Sequence, residues 1–204
     1  MEEQLNLFGD TSPAVAAKKK QSLLKSTDQT KVTAQSEPLP KKEILSSKQK
    51  TTVLVFVDGA ARGNPGPAGA GIYIATQNRV PLIKKGFYLQ HKTNNQAEYL
   101  AFIIACLFVQ NLIKNEPSTQ VVFHSDSQLL VRQIQGIYKV KNEGLLALYA
   151  VAKNLLQKFS YSIVHVMREE NTNADKLANI GVDKKIKITQ DIAGALSAFG
   201  ITID

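Results

Sequence analysis

Four acidic residues lie in separate local motifs whose side chains could hold divalent cations. Asp58 and Asp126 each follow an apolar, strand-like run, whereas Glu98 and Asp175 lie at the starts of helix-like segments. They are separated by 40, 28 and 49 residues, but carboxylates so placed can converge at one end of a sheet. Four converging negative charges need a counter-cation, and hard oxygen ligands suit Mg²⁺ or Mn²⁺. Because two carboxylate-bound metal ions can drive in-line attack on a phosphodiester, the pattern points to phosphodiester chemistry.

The elements that must position these acids follow from the periodicity of apolar residues. Short β-branched runs predict strands, and longer segments with an apolar stripe predict helices. In chain order, strands are expected at 52–58, 70–75, 80–90, 120–125 and 161–166, and helices at 94–111, 127–135, 144–158 and 173–182. A meander of three strands followed by strands alternating with helices predicts an α/β domain, with a mixed five-stranded sheet and helices on both faces.

Three further expectations concern the ends of these elements. The Gly/Pro-rich segment 60–69 is expected to be a tight loop that follows Asp58 at the end of the first strand. Asn94 or Asn95 is expected to cap the long helix, since both are good N-cap residues. Residues 184–204 form an expected C-terminal extension with one amphipathic helix at 190–199.

The acids and their flanking residues together resemble a known family. The motifs are Val-Phe-Val-Asp-Gly at 55–59, Thr-Asn-Asn-Gln-Ala-Glu at 93–98, His-Ser-Asp-Ser at 124–127 and Asn-Ala-Asp-Lys-Leu-Ala-Asn at 173–179. In this order they resemble the type 1 ribonuclease H family, in its short prokaryotic and plant-like branch, over roughly residues 52–183. The resemblance implies a ribonuclease H-like fold and endonucleolytic hydrolysis of the RNA strand of RNA/DNA hybrids, giving 5′-phosphate products.

The same resemblance assigns catalytic and metal-binding roles to the four acids, Asp58, Glu98, Asp126 and Asp175. It implies that they hold two Mg²⁺ (or Mn²⁺) ions, one activating the attacking water and the other stabilising the leaving 3′ oxygen. The local alternative for each acid is a helix-capping or first-turn role, because helix N-termini favour carboxylates.

Polar residues near the acids are implied to bind the substrate. They are Asn64, Thr93, Asn94, Asn95, Gln96, Lys139, Lys141 and Asn142. The amides of residues 64 and 94–96 would contact the RNA strand, since an amide can both donate to and accept from a 2′-hydroxyl. The threonine, the two lysines and the last asparagine would hold phosphates of the DNA strand. The alternatives are helix capping for residues 94–96 and a solvated basic loop for the lysines.

Two departures from the best-known members of the family affect these expectations. The chain has no Trp and a short middle connection, so the basic, Trp-rich handle of those members is absent or replaced. The loop histidine that assists turnover in those members is also missing. Arg168 is the local candidate for an auxiliary role, while His165 is expected to be structural.

The N-terminal peptide is a separate signal. Gln4, Leu5, Leu7 and Phe8 in Gln-Leu-Asn-Leu-Phe resemble the pentapeptide by which bacterial replication and repair proteins bind the sliding clamp. A glutamine for hydrogen bonds and apolar anchors for a pocket suit such docking, and the alternative is a fold-back contact with the domain. Residues 9–50 are Lys-, Ser- and Thr-rich and predict a disordered linker of about 40 residues, which would raise the local concentration on DNA. The expected division is therefore 1–8 peptide, 9–50 linker, 51–183 ribonuclease H domain and 184–204 extension.

Composition bounds the function further. The net charge of +8 suits a phosphate backbone as partner. The single Cys106 excludes an internal disulfide, and without a signal or membrane-spanning run we expect a cytoplasmic, monomeric protein with no membrane partner. Two rival functions stay open: a non-catalytic hybrid-binding module, and a nuclease of the same fold that acts on other duplexes.

Overall fold

The computed structural model describes residues 51–203. The strands are β1 (Thr52–Ala61), β2 (Gly66–Thr76), β3 (Pro81–Lys92), β4 (Gln120–Ser125) and β5 (Ser160–His165). The helices are α1 (Asn94–Leu112), α2 (Gln128–Ile134), α3 (Glu143–Leu156), α4 (Thr172–Asp183) and α5 (Gln190–Ser197), and a short 3₁₀ turn spans Arg168–Glu170. The predicted N-terminal peptide and linker lie outside the described residues.

The sheet has the strand order β3-β2-β1-β4-β5, with β1 at its centre. β1 and β2, and β2 and β3, pair antiparallel, whereas β4 runs parallel to both β1 and β5. This confirms the predicted mixed five-stranded sheet. Because β1, β4 and β5 are parallel, residues at or just beyond their carboxyl ends meet at one edge of the sheet.

Helices cover both faces of the sheet, as predicted. A side chain at Gly59 would overlap the backbone of Ala97 and Glu98 in α1, whereas one at Gly71 would overlap the backbone of Ala174 in α4. Gly71 pairs with Asp58, the neighbour of Gly59, and neighbouring residues of a strand point to opposite faces. Helices α1 and α4 therefore pack on opposite faces. Among the described residues, no helix combines the length and the apolar character needed to cross a bilayer.

The Gly/Pro-rich segment after Asp58 is mostly strand, which corrects the expectation of a loop over 60–69. β1 and β2 stay paired as far as Ala61 and Ala68, so only residues 62–65 connect them. Asp58 consequently lies inside β1 and not at its end. The physical reason is packing: a side chain at Gly69 would overlap the Ala178 carbonyl of α4. These small residues serve close helix–sheet approach more than chain reversal.

Candidate active site

Glu98 reaches Asp58 because α1 packs unusually close to β1 at Gly59. With no side chain at position 59, the backbone of α1 can lie directly against the strand. The Gly59 amide donates a hydrogen bond of 3.1 Å to Glu98 Oε2, and this bond is buried. The Asp58-Gly59 pair thus has two roles. Asp58 supplies one carboxylate, and Gly59 leaves room for α1 and donates a hydrogen bond to the Glu98 carboxylate.

Asp126 follows the carboxyl end of β4 and completes a cluster of three acids. Its neighbour Ser127 caps α2 by accepting from the Leu130 amide at 3.3 Å, so Asp126 itself is not the cap. Oxygen atoms of Asp58, Glu98 and Asp126 all lie within 4.8 Å of one another. The first two residues are buried, whereas the side chain of Asp126 is 10% exposed. The structure therefore brings three of the four predicted acids into contact range.

Asp175, in the first turn of α4, stands apart from these three. It is exposed, and its Oδ1 accepts a 3.1 Å hydrogen bond from Asn179 Nδ2. It is still near enough to affect the cluster: burial and then Asp126 are the main causes that raise the pKa of Asp58, and the charge of Asp175 comes next. Gly71 explains this proximity, since the close approach of α4 at that position places its first turn beside β1.

The buried acids resist ionisation together. Burial, followed by repulsion from Asp126, raises the pKa of Asp58 from 3.8 to about 7. Burial and then the charges of Asp58 and Asp126 also raise the pKa of Glu98 well above its ordinary value, while the Gly59 amide opposes this rise. Charged carboxylates in low dielectric repel one another strongly. The cluster is therefore an arrangement that a divalent cation would stabilise.

The donor set fits a hard divalent cation. Three carboxylates converge from three different elements, and carboxylate oxygens are the ligands that Mg²⁺ and Mn²⁺ prefer. Arg168 lies at the rim, with its Nε 3.4 Å from Asp126 Oδ2, but its side chain is 89% exposed. One exposed guanidinium cannot neutralise three clustered carboxylates, because solvent screens it.

The predicted substrate-binding amides at 94–96 lie in the first turn of α1, the helix that also carries Glu98. Asn64, in the β1–β2 connection, accepts a 3.1 Å hydrogen bond through Oδ1 from the Asn94 amide. Thr93 caps α1: its hydroxyl accepts from the Gln96 amide at 3.3 Å, while Gln96 Oε1 accepts from the Thr93 amide at 2.9 Å. The expected cap at Asn94 or Asn95 is therefore wrong, since the capping box starts one residue earlier. Asn95 is left exposed at the surface.

The basic connection between α2 and α3 carries the other predicted contacts. Lys139 and Lys141 are exposed, and Asn142 caps α3 by accepting from the Leu145 amide at 3.1 Å. His165 Nε2 lies 3.2 Å from the carbonyl oxygen of Asp126. Arg168 and His165 thus both lie beside Asp126, one at its carboxylate and the other at its backbone.

Asn171 is a site residue that the sequence analysis missed. It is fully buried, and its Nδ2 donates to Asp126 Oδ1 and to the Val57 carbonyl, both at 2.9 Å. Its Oδ1 is buried and has no hydrogen-bond partner among the described residues. Asn171 precedes Asp175 by four residues, about one helical turn, and this spacing is the signal that could have identified it.

The described part of the chain is similar to known proteins. Residues 56–181 match the family described as reverse transcriptase-like. "Bifunctional protein Rv2228c" of Mycobacterium tuberculosis is 36% identical over 133 residues, which are 64% of this chain and 35% of that protein. "Ribonuclease HI" of Halobacterium salinarum is 35% identical over 132 residues, 64% of each protein. The chain thus spans about a third of the length of the mycobacterial relative and less than two thirds of the halobacterial one.

Solved structures show the same fold. LC11-RNase H1 in complex with an RNA/DNA hybrid superposes with a TM-score of 0.63 and 37% identity, covering 65% of this chain and 97% of that one. RNase H1 from Halobacterium salinarum NRC-1 gives a TM-score of 0.61 and 34% identity, covering 65% and 98%. The family match over residues 56–181 includes α1 and the three clustered acids.

Proposed function

The chain belongs to the reverse transcriptase-like, ribonuclease H-like family, and from this premise we propose that it is a metal-dependent endoribonuclease. Its substrate would be the RNA strand of RNA/DNA hybrids, and its products would carry 5′-phosphate ends. The observation that carries the proposal is the set of three carboxylates within 4.8 Å of one another, supplied by the family's motifs. The hybrid in the complex of the LC11 relative supports the choice of substrate.

Asp58, Glu98 and Asp126 would hold the metal ions, with Asp175 as a further ligand from α4. Two Mg²⁺ or Mn²⁺ ions, when bound, would supply an activated water and stabilise charge on the leaving oxygen. The chain's own contribution is to fix the carboxylates: Gly59 holds Glu98, and Asn171 holds Asp126. Arg168 would be auxiliary. Burial and mutual repulsion raise the pKa values of Asp58 and Glu98, and the Arg168 guanidinium partly opposes this rise.

Recognition of the hybrid would divide between amides and lysines. Asn64, Asn94, Asn95 and Gln96 would read 2′-hydroxyls of the RNA strand. Because Asn64 Oδ1 already accepts from the Asn94 amide, its Nδ2 would remain as the donor. A second set of residues would contact phosphates of the DNA strand: Thr93, Lys139, Lys141 and Asn142.

Binding to the sliding clamp through Gln4, Leu5, Leu7 and Phe8 remains a prediction outside the described residues. A clamp pull-down that compares the full chain with a Leu7→Ala/Phe8→Ala variant tests it, and undiminished capture of the variant would contradict it. A monomeric state and a cytoplasmic location likewise stay predictions from the sequence.

A cleavage assay tests the proposed function. Labelled RNA/DNA, RNA/RNA and DNA/DNA duplexes are incubated with Mg²⁺ or Mn²⁺, and the wild type is compared with Asp126→Asn and, as a matched control, Asp191→Asn. We expect metal-dependent cutting of the hybrid's RNA strand alone, lost at position 126 and retained at position 191. Cutting of another duplex would instead support the rival function of a nuclease of the same fold that acts on other duplexes. Tight hybrid binding without cutting would favour the non-catalytic binding module.

A further inference from the structure

A buried carboxamide joins α1 to the connection that carries the two lysines. Gln133, near the end of α2, is only 4% exposed. Tyr99 Oη donates a buried 2.8 Å hydrogen bond to Gln133 Oε1, and Gln133 Nε2 donates a longer bond of 3.5 Å to the Lys139 carbonyl. The glutamine therefore bridges the helix of the active site and the backbone of the predicted phosphate-binding segment.

Both ends of the segment 136–142 are held in place. At its start, the Ile137 and Tyr138 amides donate to the Arg132 carbonyl at 2.9 and 3.1 Å. At its end, Asn142 caps α3. Next to this cap, a side chain at Gly144 would come within 3.3 Å of Gln96 Nε2 in the first turn of α1. The exposed lysines thus lie on a short segment fixed to rigid elements and not on a free loop.

The position of Tyr99 gives this bridge its functional interest. Tyr99, which binds Gln133, is adjacent to Glu98 of the acid cluster in α1. The two residues therefore move together as part of one rigid helix. The Tyr99 hydroxyl is the donor in this contact, and it reaches Gln133 Oε1 in the protein interior.

A buried amide is costly unless its polar atoms are paired. An apolar residue of the same size would fill this space without that requirement. The two bonds of Gln133 join different elements, one to α1 and one to the basic segment, and this arrangement suits a positioning role.

We propose that Gln133, held by Tyr99, is a positioning residue that sets the place of Lys139 relative to the acid cluster. This inference rests on the proposed function, because it takes the lysine segment as a contact for the hybrid's phosphates. The bridge would act on substrate affinity and leave the chemical step unchanged, since neither residue touches the reacting atoms.

The test compares Gln133→Met with the double variant Tyr99→Phe/Gln133→Met. Methionine keeps the volume of the glutamine but leaves the Tyr99 hydroxyl unpaired, and the double variant removes that unpaired group as well. Stability should fall in the first variant and largely recover in the second, because removing both partners is nearly neutral. Tyr161→Phe, which removes a hydroxyl on β5, is the control.

Three quantities are measured: hybrid affinity in EDTA by fluorescence anisotropy, the salt dependence of that affinity, and KM and kcat in Mg²⁺. In both variants we expect KM and Kd to rise about three- to tenfold, as for loss of one weak contact, with kcat within about twofold. The slope of log affinity against log salt should become less steep by about one. Adding Lys139→Ala to Gln133→Met should produce little further change.

The inference is overturned if kcat falls while KM is unchanged. It is also overturned if the double variant regains both stability and wild-type hybrid affinity. A third contrary result would be that the losses of affinity from Lys139→Ala and Gln133→Met simply add. A wild type that binds the hybrid without cutting it would refute the proposed function, while the affinity measurements would still test the bridge. A wild type that does not bind the hybrid would overturn both.

Discussion

Neutralising one acid of the cluster should make the metal-free protein more stable. Asp126→Asn removes one of the three charges, and Asp126 is the most exposed of the three residues, so its replacement disturbs packing least. An asparagine can keep Oδ1 as the acceptor for Asn171 Nδ2. The change loses the contact with Arg168, but that side chain is 89% exposed, and exposed ion pairs contribute little.

The magnitude is worked from Asp58, one of the two buried acids that Asp126 repels. Raising the pKa of Asp58 from 3.8 to about 7 corresponds to roughly 4 kcal/mol of destabilisation when that carboxylate is charged. Burial is the largest cause and remains in the variant, so repulsion by Asp126 accounts for a fraction, on the order of 1 kcal/mol. For a domain of this size, that fraction corresponds to an increase in Tm of about 2–4 °C.

The sign of the pH dependence is fixed by the raised pKa. Below pH 3.8 Asp58 is protonated in both the folded and the unfolded protein, so its burial carries no charge penalty. Between 3.8 and about 7 the unfolded chain releases the proton and the folded protein retains it, so stability falls as pH rises. The advantage of the variant should therefore be full at pH 8 and small at pH 5.

Thermal unfolding in EDTA between pH 5 and 8.5 measures this effect, with Asp191→Asn as the control for replacing an exposed aspartate. Adding Mg²⁺ should raise the Tm of the wild type more than that of the Asp126 variant, since a ligand stabilises the form that binds it. The reasoning is refuted if the metal-free variant is less stable than the wild type at pH 8. It is also refuted if their difference does not shrink toward pH 5.

Four other substitutions give distinct expected results. Asn171→Leu should cost about 1–3 kcal/mol, since it removes the hydrogen bonds to the Val57 carbonyl and to Asp126 Oδ1. It should also lower cleavage, and denaturant unfolding and the cleavage assay measure the two effects. Gly71→Ala should prevent stable folding because its side chain would overlap the backbone of α4. Gly194→Ala has open space around it and should stabilise the folded protein by about 0.5–1 kcal/mol. Thermal unfolding followed by circular dichroism distinguishes the two results. Arg168→Ala should shift the acidic limb of the pH–rate profile upward, because the guanidinium lowers the pKa of Asp58 against burial and repulsion; an unmoved limb would argue against an auxiliary role.

The sequence was sufficient for the fold class because its signals are local. β-branched runs and apolar stripes reveal their periodicity within a few residues, and the alternation of elements then limits the sheet to few topologies. It failed where a local signal had a non-local cause. The glycines and alanines of 60–69 read as a loop, yet Gly69 in that segment leaves room for α4 to lie against the strand. Thr93, and not Asn94 or Asn95, is the N-cap of α1, although its capping-box partner Gln96 is visible in the sequence.

The candidate site shows the same division. Residue types and motif order named Asp58, Glu98 and Asp126, because carboxylates after apolar runs and at helix starts are recognisable from the chain alone. Their separation within 4.8 Å, the raised pKa values and the distance of Asp175 from the other three depend on how closely two helices approach the sheet. That approach is set by packing between residues far apart in sequence, which no local pattern encodes.

The hydrogen-bond partners of the buried side-chain amides are determined entirely by the tertiary structure. In the sequence, Asn171 looks like an ordinary polar loop residue and Gln133 like an ordinary polar helix residue, and nothing near them indicates that they are buried. Only the fold places Asn171 between Val57 and Asp126, 114 and 45 residues away along the chain. The sequence therefore determined which chemical groups the protein has and which elements carry them. The tertiary structure decided which of those groups are desolvated together, and hence how strongly they interact.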